Sequence, residues 1–274
     1  MMNLLYITWT VDPVLFELGP IAIRWYGLLF AAAFLIGYYI MQHILKREGL
    51  PQEWMDSLLL YMMVGTVLGA RLGHVFFYQW DYYSQHLGEI LQIWKGGLAS
   101  HGATIGIIVS LWIWSKRISK KSLMWILDRI VITIALAAVF IRTGNLMNHE
   151  IVGAPWEGPW AFLFTKAGYQ VLEPRHPAQI YEALAYLVLF GVLAVMYFKA
   201  TAGRKSGMLF GTFLIGLFSA RFIIEFYKEV QVAFEQDMAL NMGQLLSLPL
   251  IGVGLIFLIR SFMLKDEAGT ERTQ

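Results

Sequence analysis

The sequence predicts an all-α integral membrane protein with about seven transmembrane helices. Of its 274 residues, 58% are hydrophobic and only 15% are charged, and the mean hydropathy is +0.57. A soluble domain carries roughly 25% charged residues and fewer apolar ones. The apolar stretches are separated by turns that contain proline, glycine or charges, which favours helices as the spanning form. The alternation typical of a membrane β-barrel is absent from the sequence.

Seven segments are long enough, or nearly so, to cross a hydrocarbon core of about 30 Å at about 1.5 Å per residue. They lie near 21–42, 57–78, 97–115, 124–145, 178–198, 207–226 and 242–260. The first segment follows a stretch without Lys or Arg before Arg24, so it lacks the basic flank of a cleavable signal peptide and is expected to remain. Pro177 sets the start of the fifth. We expect one membrane-embedded domain over 1–274, with a small extracytoplasmic head near 148–177.

The orientation follows from the basic residues of the loops. One side of the predicted bundle holds twelve Lys and Arg residues: Lys46, Arg47, Lys116, Arg117, Lys120, Lys121, Lys199, Arg204, Lys205, Arg260, Lys265 and Arg272. The other side holds four: Lys95, Lys166, Arg175 and Lys228. Because cytoplasmic loops carry the excess of positive charge, we expect the N-terminus outside and the C-terminus in the cytoplasm.

Several classes of chemistry are excluded by the composition and motifs. The chain has no cysteine, which excludes disulfides, iron–sulfur clusters and a cysteine nucleophile. The G-x-S-x-G and H-E-x-x-H motifs of hydrolases are missing, and no acidic metal cluster has recognisable spacing. We therefore expect no metal, no cofactor and no nucleic-acid partner.

Five polar clusters fall at one predicted depth, on the outer side of the bundle. They are Arg24 with Tyr26; Arg71 with His74; His101; Arg142 with Asn145, His149 and Glu150; and Arg221 with Glu225. A charge at the bilayer centre costs about 2.5–3.5 kcal/mol on insertion scales, so it is normally retained for a reason. Their convergence on one side indicates a polar site near the outer leaflet.

Three of these clusters also have a purely structural explanation. Arg24 and Tyr26 fit an interfacial anchor, because Arg, Trp and Tyr favour the headgroup zone. Arg71 fits a structural salt bridge or a snorkelling side chain. Arg221 and Glu225, four residues apart, fit an ion pair within one helix.

The stretch FIRTGNLMNHEIVG at 140–153 favours function most strongly. Arg142, Asn145 and His149 are spaced to share one helical face, and a guanidinium offers a fork of donors that matches phosphate or carboxylate. A helix cap explains Asn148 or Gly153, but not Arg142. An anionic amphiphile such as a phospholipid is the ligand that such arginines within apolar helices predict.

The same arginines would also serve a transporter or flippase for an anionic lipid. That function needs access from both sides, and the cytoplasmic halves of the helices carry few ionisable residues, with Asp128 and Arg129 as the exceptions. A third alternative is a purely structural or receptor protein. In such a protein the polar residues on the outer side would have no function. For an enzyme, direct transfer to an acceptor with His101 as the base fits best, since small neighbours leave this histidine room for a ligand.

At residues 141–153 the sequence I-R-T-G-N-L-M-N-H-E-I-V-G resembles the signature G-R-x-G-N-x-x-N-x-E-x-x-G of the prolipoprotein diacylglyceryl transferases of the bacterial cytoplasmic membrane. Further matches, in order, are R-W-Y-G, R-L-G, H-G at His101, R-H-P-x-Q-x-Y-E, a late R-x-x-x-E and N-M-G-Q-L-L-S-L-P at 241–249. This sequence departs from the family pattern at three positions. It has Ile141 where the family has glycine, Leu146 where the family has phenylalanine, and Leu217 where the family often has tyrosine. The change at Leu146 is a packing change.

The resemblance implies transfer of the diacylglyceryl group of phosphatidylglycerol to the thiol of the lipobox cysteine in a prolipoprotein signal peptide. The products are a thioether and glycerol phosphate. It further implies a multi-pass protein in the bacterial cytoplasmic (inner) membrane, with the lipid bilayer as a partner and the active site toward the outer leaflet.

The resemblance also implies roles for individual residues. The expected catalytic residues are His101, Arg142 and Arg221. The expected substrate-binding residues are Tyr26, Arg71, Arg142, Asn145, Glu150, Gly153 and Glu225. In this mechanism His101 accepts the thiol proton and the arginines hold the phosphate. In the alternative mechanism the field of an arginine lowers the thiol pKa, and His101 only donates or accepts a hydrogen bond.

Overall fold

The computed structural model of the protein describes residues 6–19, 21–168, 172–200, 205–229 and 238–263. Arg204, Lys265 and Arg272 of the predicted cytoplasmic charges, and residues 169–171 of the predicted head, lie outside the described residues. The chain divides into two compact units, Met1–Tyr39 with Asp128–Gln274 as the first and Ile40–Leu127 as the second. The single domain over 1–274 stays a prediction.

The described residues are mainly helical. The α-helices are α1 (Trp25–Arg47), α2 (Trp54–Tyr78), α3 (Trp80–Tyr83), α4 (Ser100–Trp114), α5 (Leu123–Met147), α6 (Ala178–Phe198), α7 (Met208–Ile224) and α8 (Met242–Met263). Six of them, all except α3 and α4, are long and apolar enough to cross a membrane, with α7 counted together with the 3₁₀ turn Glu225–Tyr227. The predicted class of multi-pass helical membrane protein is confirmed.

The seventh predicted span corresponds to α4, which has 15 residues. At about 1.5 Å per residue such a helix is shorter than a hydrocarbon core of about 30 Å. A π-helical turn, Ser115–Ser119, continues it toward the next loop. The count of seven spans and the orientation of the termini therefore stay predictions.

The first helix begins at Trp25, four residues later than the sequence pattern predicted. Residues Ile21–Arg24 instead form a strand, β3, that pairs antiparallel with β2 (Val14–Leu18). Their backbone polar groups are satisfied by this neighbouring strand rather than by a helical turn. The fifth predicted span, 178–198, coincides with α6.

In the second unit, glycines bring α2 and α4 into backbone contact. A Cβ atom added to Gly69 or Gly73 of α2, or to Gly102 or Gly106 of α4, would lie less than 3 Å from backbone atoms of the other helix. Small residues at a spacing of four allow this close approach. The N-terminal end of α4, with His101, is thereby held against the C-terminal half of α2.

In the first unit, the N-terminal residues and the predicted head form a small layer at the end of α5. Strand β1 (Ile7–Trp9) pairs parallel with β4 (Phe162–Phe164), and Trp9 Nε1 donates to the Leu146 carbonyl at 3.0 Å. Leu146 is buried in a cluster with Val152, Phe162 and Phe164. This position, which departs from the family signature, therefore does pack in an apolar core. The described contacts give no reason for Ile141 or Leu217.

Asp128, one of the two ionisable residues noted in the cytoplasmic halves, caps a helix. Its carboxylate accepts hydrogen bonds from the backbone N–H groups of Gly207 at 2.6 Å and Phe210 at 2.8 Å. These are among the unpaired donors at the N-terminus of α7, where a negative charge is favourable. Asp128 thus has a structural role, which removes one reason to expect a path through the bundle.

Candidate active site

The signature residues at the end of α5 bind one another. Arg142 Nη1 donates to Asn145 Oδ1 at 3.3 Å, and Asn145 Nδ2 donates to Glu150 Oε2 at 3.3 Å. Asn148 Nδ2 donates to the other carboxylate oxygen, Glu150 Oε1, also at 3.3 Å. The predicted grouping of Arg142, Asn145 and Glu150 is therefore present, and Asn145 links the arginine to the carboxylate.

His149 does not share the face of Arg142 and Asn145 that the spacing predicted. Helix α5 ends at Met147, and His149 and Ile151 take left-handed backbone conformations with φ of 57° and 55°. The buried His149 ring lies 2.8 Å from the Val11 carbonyl, with Nε2 as the donor. The chain reversal at the helix end therefore turns His149 toward the N-terminal segment and places Glu150 between two left-handed residues.

Glu182 in α6 connects the signature to a second charged group. Its side chain is fully buried, and Oε2 lies 2.9 Å from Arg142 Nε. Its other oxygen, Oε1, is 3.1 Å from Lys228 Nζ and accepts a hydrogen bond from the Tyr186 hydroxyl at 3.3 Å. Lys228 Nζ is also 3.2 Å from Glu225 Oε2. Two carboxylates and two cations therefore alternate, which offsets the cost of their burial.

The sequence pattern did not identify Glu182 or Lys228 as site residues. Lys228 was predicted only as one of the outer basic charges. The signal for Glu182 was present, because it is the last residue of R-H-P-x-Q-x-Y-E. Lys228 follows the late R-x-x-x-E by three residues, but only the fold brings it to Glu182, 46 positions away.

Arg221 does not form the predicted ion pair with Glu225 among the described contacts. Glu225 pairs with Lys228 instead, and Arg221 Nε is buried without a hydrogen-bond partner. A buried donor without a partner is costly, which makes Arg221 suited to an anionic ligand.

Tyr26 and Gly153 adjoin this group in different ways. The ring of Tyr26 lies so close to Gly144 that a Cβ atom there would come within 3 Å of it. Gly153 is buried, and a Cβ atom on it would meet the backbone oxygens of His176 and Tyr227 at 2.6 Å. Gly153 therefore allows three chain segments to meet, while its predicted contact with substrate stays a prediction.

An aromatic group surrounds His176 at the start of α6. The imidazole stacks on Trp156 with centroids 4.8 Å apart, packs edge-on against Tyr227 at 5.3 Å, and its Nδ1 is 3.1 Å from the Tyr181 hydroxyl. Removal from water disfavours the charged ring and lowers the pKa of His176 below its ordinary value of 6.5. Packing against these rings therefore favours the neutral form of the imidazole.

In the second unit, Arg71 binds the loop that follows α2. Its side chain is fully buried and donates to the carbonyls of Ile90 at 2.7 Å, Gly96 at 2.6 Å and Glu89 at 2.8 Å, and to the Tyr83 hydroxyl at 3.1 Å. These contacts favour the structural explanation of Arg71, as a clamp on the loop. Its predicted contact with substrate stays a prediction.

His101 is exposed at the start of α4 and lines an open cavity of about 460 Å³. Its Nε2 is 3.1 Å from the Tyr78 hydroxyl. The other residues that line the cavity are His74, Tyr78, Gln79, Leu98, Ala99 and Ser100. The small side chains before the helix leave this space, as the sequence predicted.

Fold and site together define a multi-pass helical membrane protein with a buried, charge-paired polar site at the ends of its spanning helices. The family model described as prolipoprotein diacylglyceryl transferase matches residues 13–260. The chain belongs to the prolipoprotein diacylglyceryl transferase family, as the resemblance of its motifs implied.

Relatives named phosphatidylglycerol–prolipoprotein diacylglyceryl transferase are similar over nearly the whole chain. One from Chloroherpeton thalassium is 45% identical over 256 residues, which cover 93% of this chain and 94% of the relative. One from Tolumonas auensis is 45% identical over 253 residues, with 92% and 96% covered. One from Porphyromonas gingivalis is 46% identical over 268 residues, with 93% and 95% covered.

Proposed function

We propose that the buried cluster of Arg142, Glu182 and Lys228, together with Arg221 of α7, binds the phosphate of phosphatidylglycerol. The chain is a diacylglyceryl transferase of lipoprotein biosynthesis, and its substrates are phosphatidylglycerol and prolipoproteins. The observation that carries the proposal is the buried Arg221 Nε without a partner. The Arg142 guanidinium, which Glu182 and Asn145 already orient, supports it. A phosphate oxygen supplies the missing acceptor.

The proposed acceptor is the thiol of a lipobox cysteine. The thiolate attacks the glyceryl carbon that bears the phosphate ester, so that a C–S bond forms as the C–O bond breaks and glycerol phosphate leaves. Negative charge builds on the leaving phosphate, and Arg142 and Arg221 stabilise it without moving, which is the kind of preorganised electrostatics that contributes most to catalysis. Asn145 and Glu150 hold Arg142 in place.

His101 is the proposed base. A free thiol with a pKa of about 8.5 is only a few per cent thiolate at neutral pH, so removal of its proton accelerates the attack. His101 is exposed to a cavity and has no carboxylate among its described partners. We further propose that the protein lies in the bacterial inner membrane with this chemistry at the outer leaflet, where the predicted positive-inside orientation puts it.

The test uses purified protein in phosphatidylglycerol-containing micelles with a lipobox peptide, and follows the peptide mass. The wild type is expected to add a diacylglyceryl mass, and Arg142→Ala and His101→Ala are expected to lose this activity. Loss of one arginine should cost roughly 10²–10³ in rate, by analogy with a lost oxyanion donor. Arg117→Ala, on the exposed π-helical turn, is the matched control.

One result of this assay would contradict the proposed function. Binding of labelled lipid with no mass gain in any variant would contradict the transferase and favour a carrier of anionic lipid.

A further inference from the structure

The hydroxyl of Tyr78 lies within hydrogen-bond distance of a ring nitrogen of His101. Tyr78 is the last residue of α2, and its Oη lies 3.1 Å from His101 Nε2, with the two rings 5.5 Å apart. Both side chains line the same cavity. An approaching group in this cavity therefore meets Tyr78 as well as the imidazole.

The backbone holds this pair in a defined geometry. Helices α2 and α4 contact each other at Gly73 and Gly102. Gly73 lies five residues before Tyr78, and Gly102 directly follows His101. The loop between them is fixed at Gly96 by Arg71, and Ala99 N donates to the Ala70 carbonyl at 2.9 Å. The hydrogen bond between Tyr78 and His101 thus depends on buried, well-packed elements on both sides.

Packing alone does not account for the hydroxyl. Tyr78 is 62% exposed, so its hydroxyl does not satisfy a buried polar group. A phenylalanine would keep the ring contact with His101 and the stacking on His74, whose centroid is 6.0 Å away. Tyrosine differs from phenylalanine by its hydroxyl, which can both donate and accept a proton.

We propose that Tyr78 is a catalytic proton relay between the substrate thiol and His101. The thiol S–H gives its proton to Tyr78 Oη while the Tyr78 O–H gives its own to His101 Nε2. The products are a thiolate and an imidazolium, and the tyrosine ends unchanged. This role rests on the proposed function, in which His101 is the final proton acceptor.

Few other groups of this unit compete for the proton. His74 is the second imidazole at the cavity, and its Nε2 is 3.1 Å from Gln79 Oε1. Gln79 and Ser100 are neutral, and the Arg71 guanidinium donates to carbonyls of the loop. The relay ends at His101 Nε2, because this is the imidazole nitrogen that lies 3.1 Å from the Tyr78 hydroxyl.

The decisive experiment compares kcat for wild type, Tyr78→Phe and Tyr82→Phe in the peptide assay between about pH 6.5 and pH 9.5. Tyr82 is the matched control, because it lies four residues further along the chain, in α3, is also exposed, and its hydroxyl donates to Glu89 Oε2. We expect Tyr78→Phe to lower kcat about 10²-fold at neutral pH, within the range of general acid–base catalysis. The deficit should shrink near pH 9, since the thiol then ionises by itself, and KM for lipid should not change.

Two results would overturn the relay while the transferase stands. In one, Tyr78→Phe equals the wild type at every pH. In the other, it loses the same factor at every pH, as a structural defect would. The ¹⁵N shift of His101 Nε2 gives a readout without substrate, and no change in it on Tyr78→Phe would overturn the relay even if the wild type were inactive. An inactive wild type would by itself contradict the proposed function.

Discussion

Arg142 Nε and Glu182 Oε2 lie 2.9 Å apart, although they belong to different motifs of the sequence. Arg142 comes from the end of α5 and the fully buried Glu182 from the start of α6. A guanidinium carries five N–H donors, so donors remain for a phosphate after Glu182 and Asn145 have oriented it. The geometry of the arginine is thus set before any substrate binds, which lowers the entropic cost of reaching the transition state.

Replacing Glu182 by Gln should impair both folding and activity. The change leaves Arg142 and Lys228 buried beside a neutral amide, and breaking a buried ion pair costs about 3–5 kcal/mol. Thermal unfolding in micelles and the peptide assay measure the two effects. Glu157→Gln, at an exposed glutamate of the head, should change neither. If Glu182→Gln unfolds at the same temperature as Glu157→Gln, other groups must compensate the buried charges of Arg142 and Lys228.

Replacing Arg221 by Gln should separate activity from stability. Arg221 Nε has no hydrogen-bond partner, so its removal relieves an unsatisfied buried donor rather than breaking a bond. We expect transfer to fall by roughly 10²–10³ while the unfolding temperature stays the same or rises. Retained lipid transfer in this variant would remove Arg221 from the phosphate site.

Replacing Gly153 by Ala should destabilise the protein. The new methyl group would press on the carbonyls of His176 and Tyr227, and such overpacking costs about 1–3 kcal/mol. Gly252→Ala in α8 is the control, because a Cβ atom there meets nothing within 4 Å. Unfolding in micelles compares the two. A Gly153→Ala protein as stable as the wild type but inactive would instead support direct contact with substrate.

The half-buried His176 should make stability depend on pH. Burial lowers the pKa of His176 in the folded state below its ordinary value of 6.5, so the unfolded chain binds the proton more readily. Stability should therefore be independent of this group above about pH 6.5 and fall as the pH decreases from there through the folded pKa. His176→Gln should lose this part of the pH dependence of unfolding. An unchanged slope between pH 7 and pH 5 would contradict the assignment.

Much of the site could be predicted from the sequence because its elements are local. Arg142, Asn145 and Glu150 lie within nine residues, and the hydrogen bonds among them depend only on a helix and its end. The error at His149 came from the same reasoning, because the pattern of three and four residues continued beyond Met147, where the helix stops and φ becomes positive. Periodicity alone does not locate a helix end to within a turn.

The sequence by itself determined that this protein crosses a membrane and which family it belongs to, and it predicted which arginines carry its chemistry. Long apolar runs can span a bilayer only as helices, and closely spaced polar residues within them define a motif. Only the tertiary structure decided that Glu182 and Lys228 complete the charge network, that Arg71 clamps a loop, and that Tyr78 meets His101. The physical reason is that a buried charge or hydroxyl takes its role from the partner that packing brings to it, and these partners are distant in the chain.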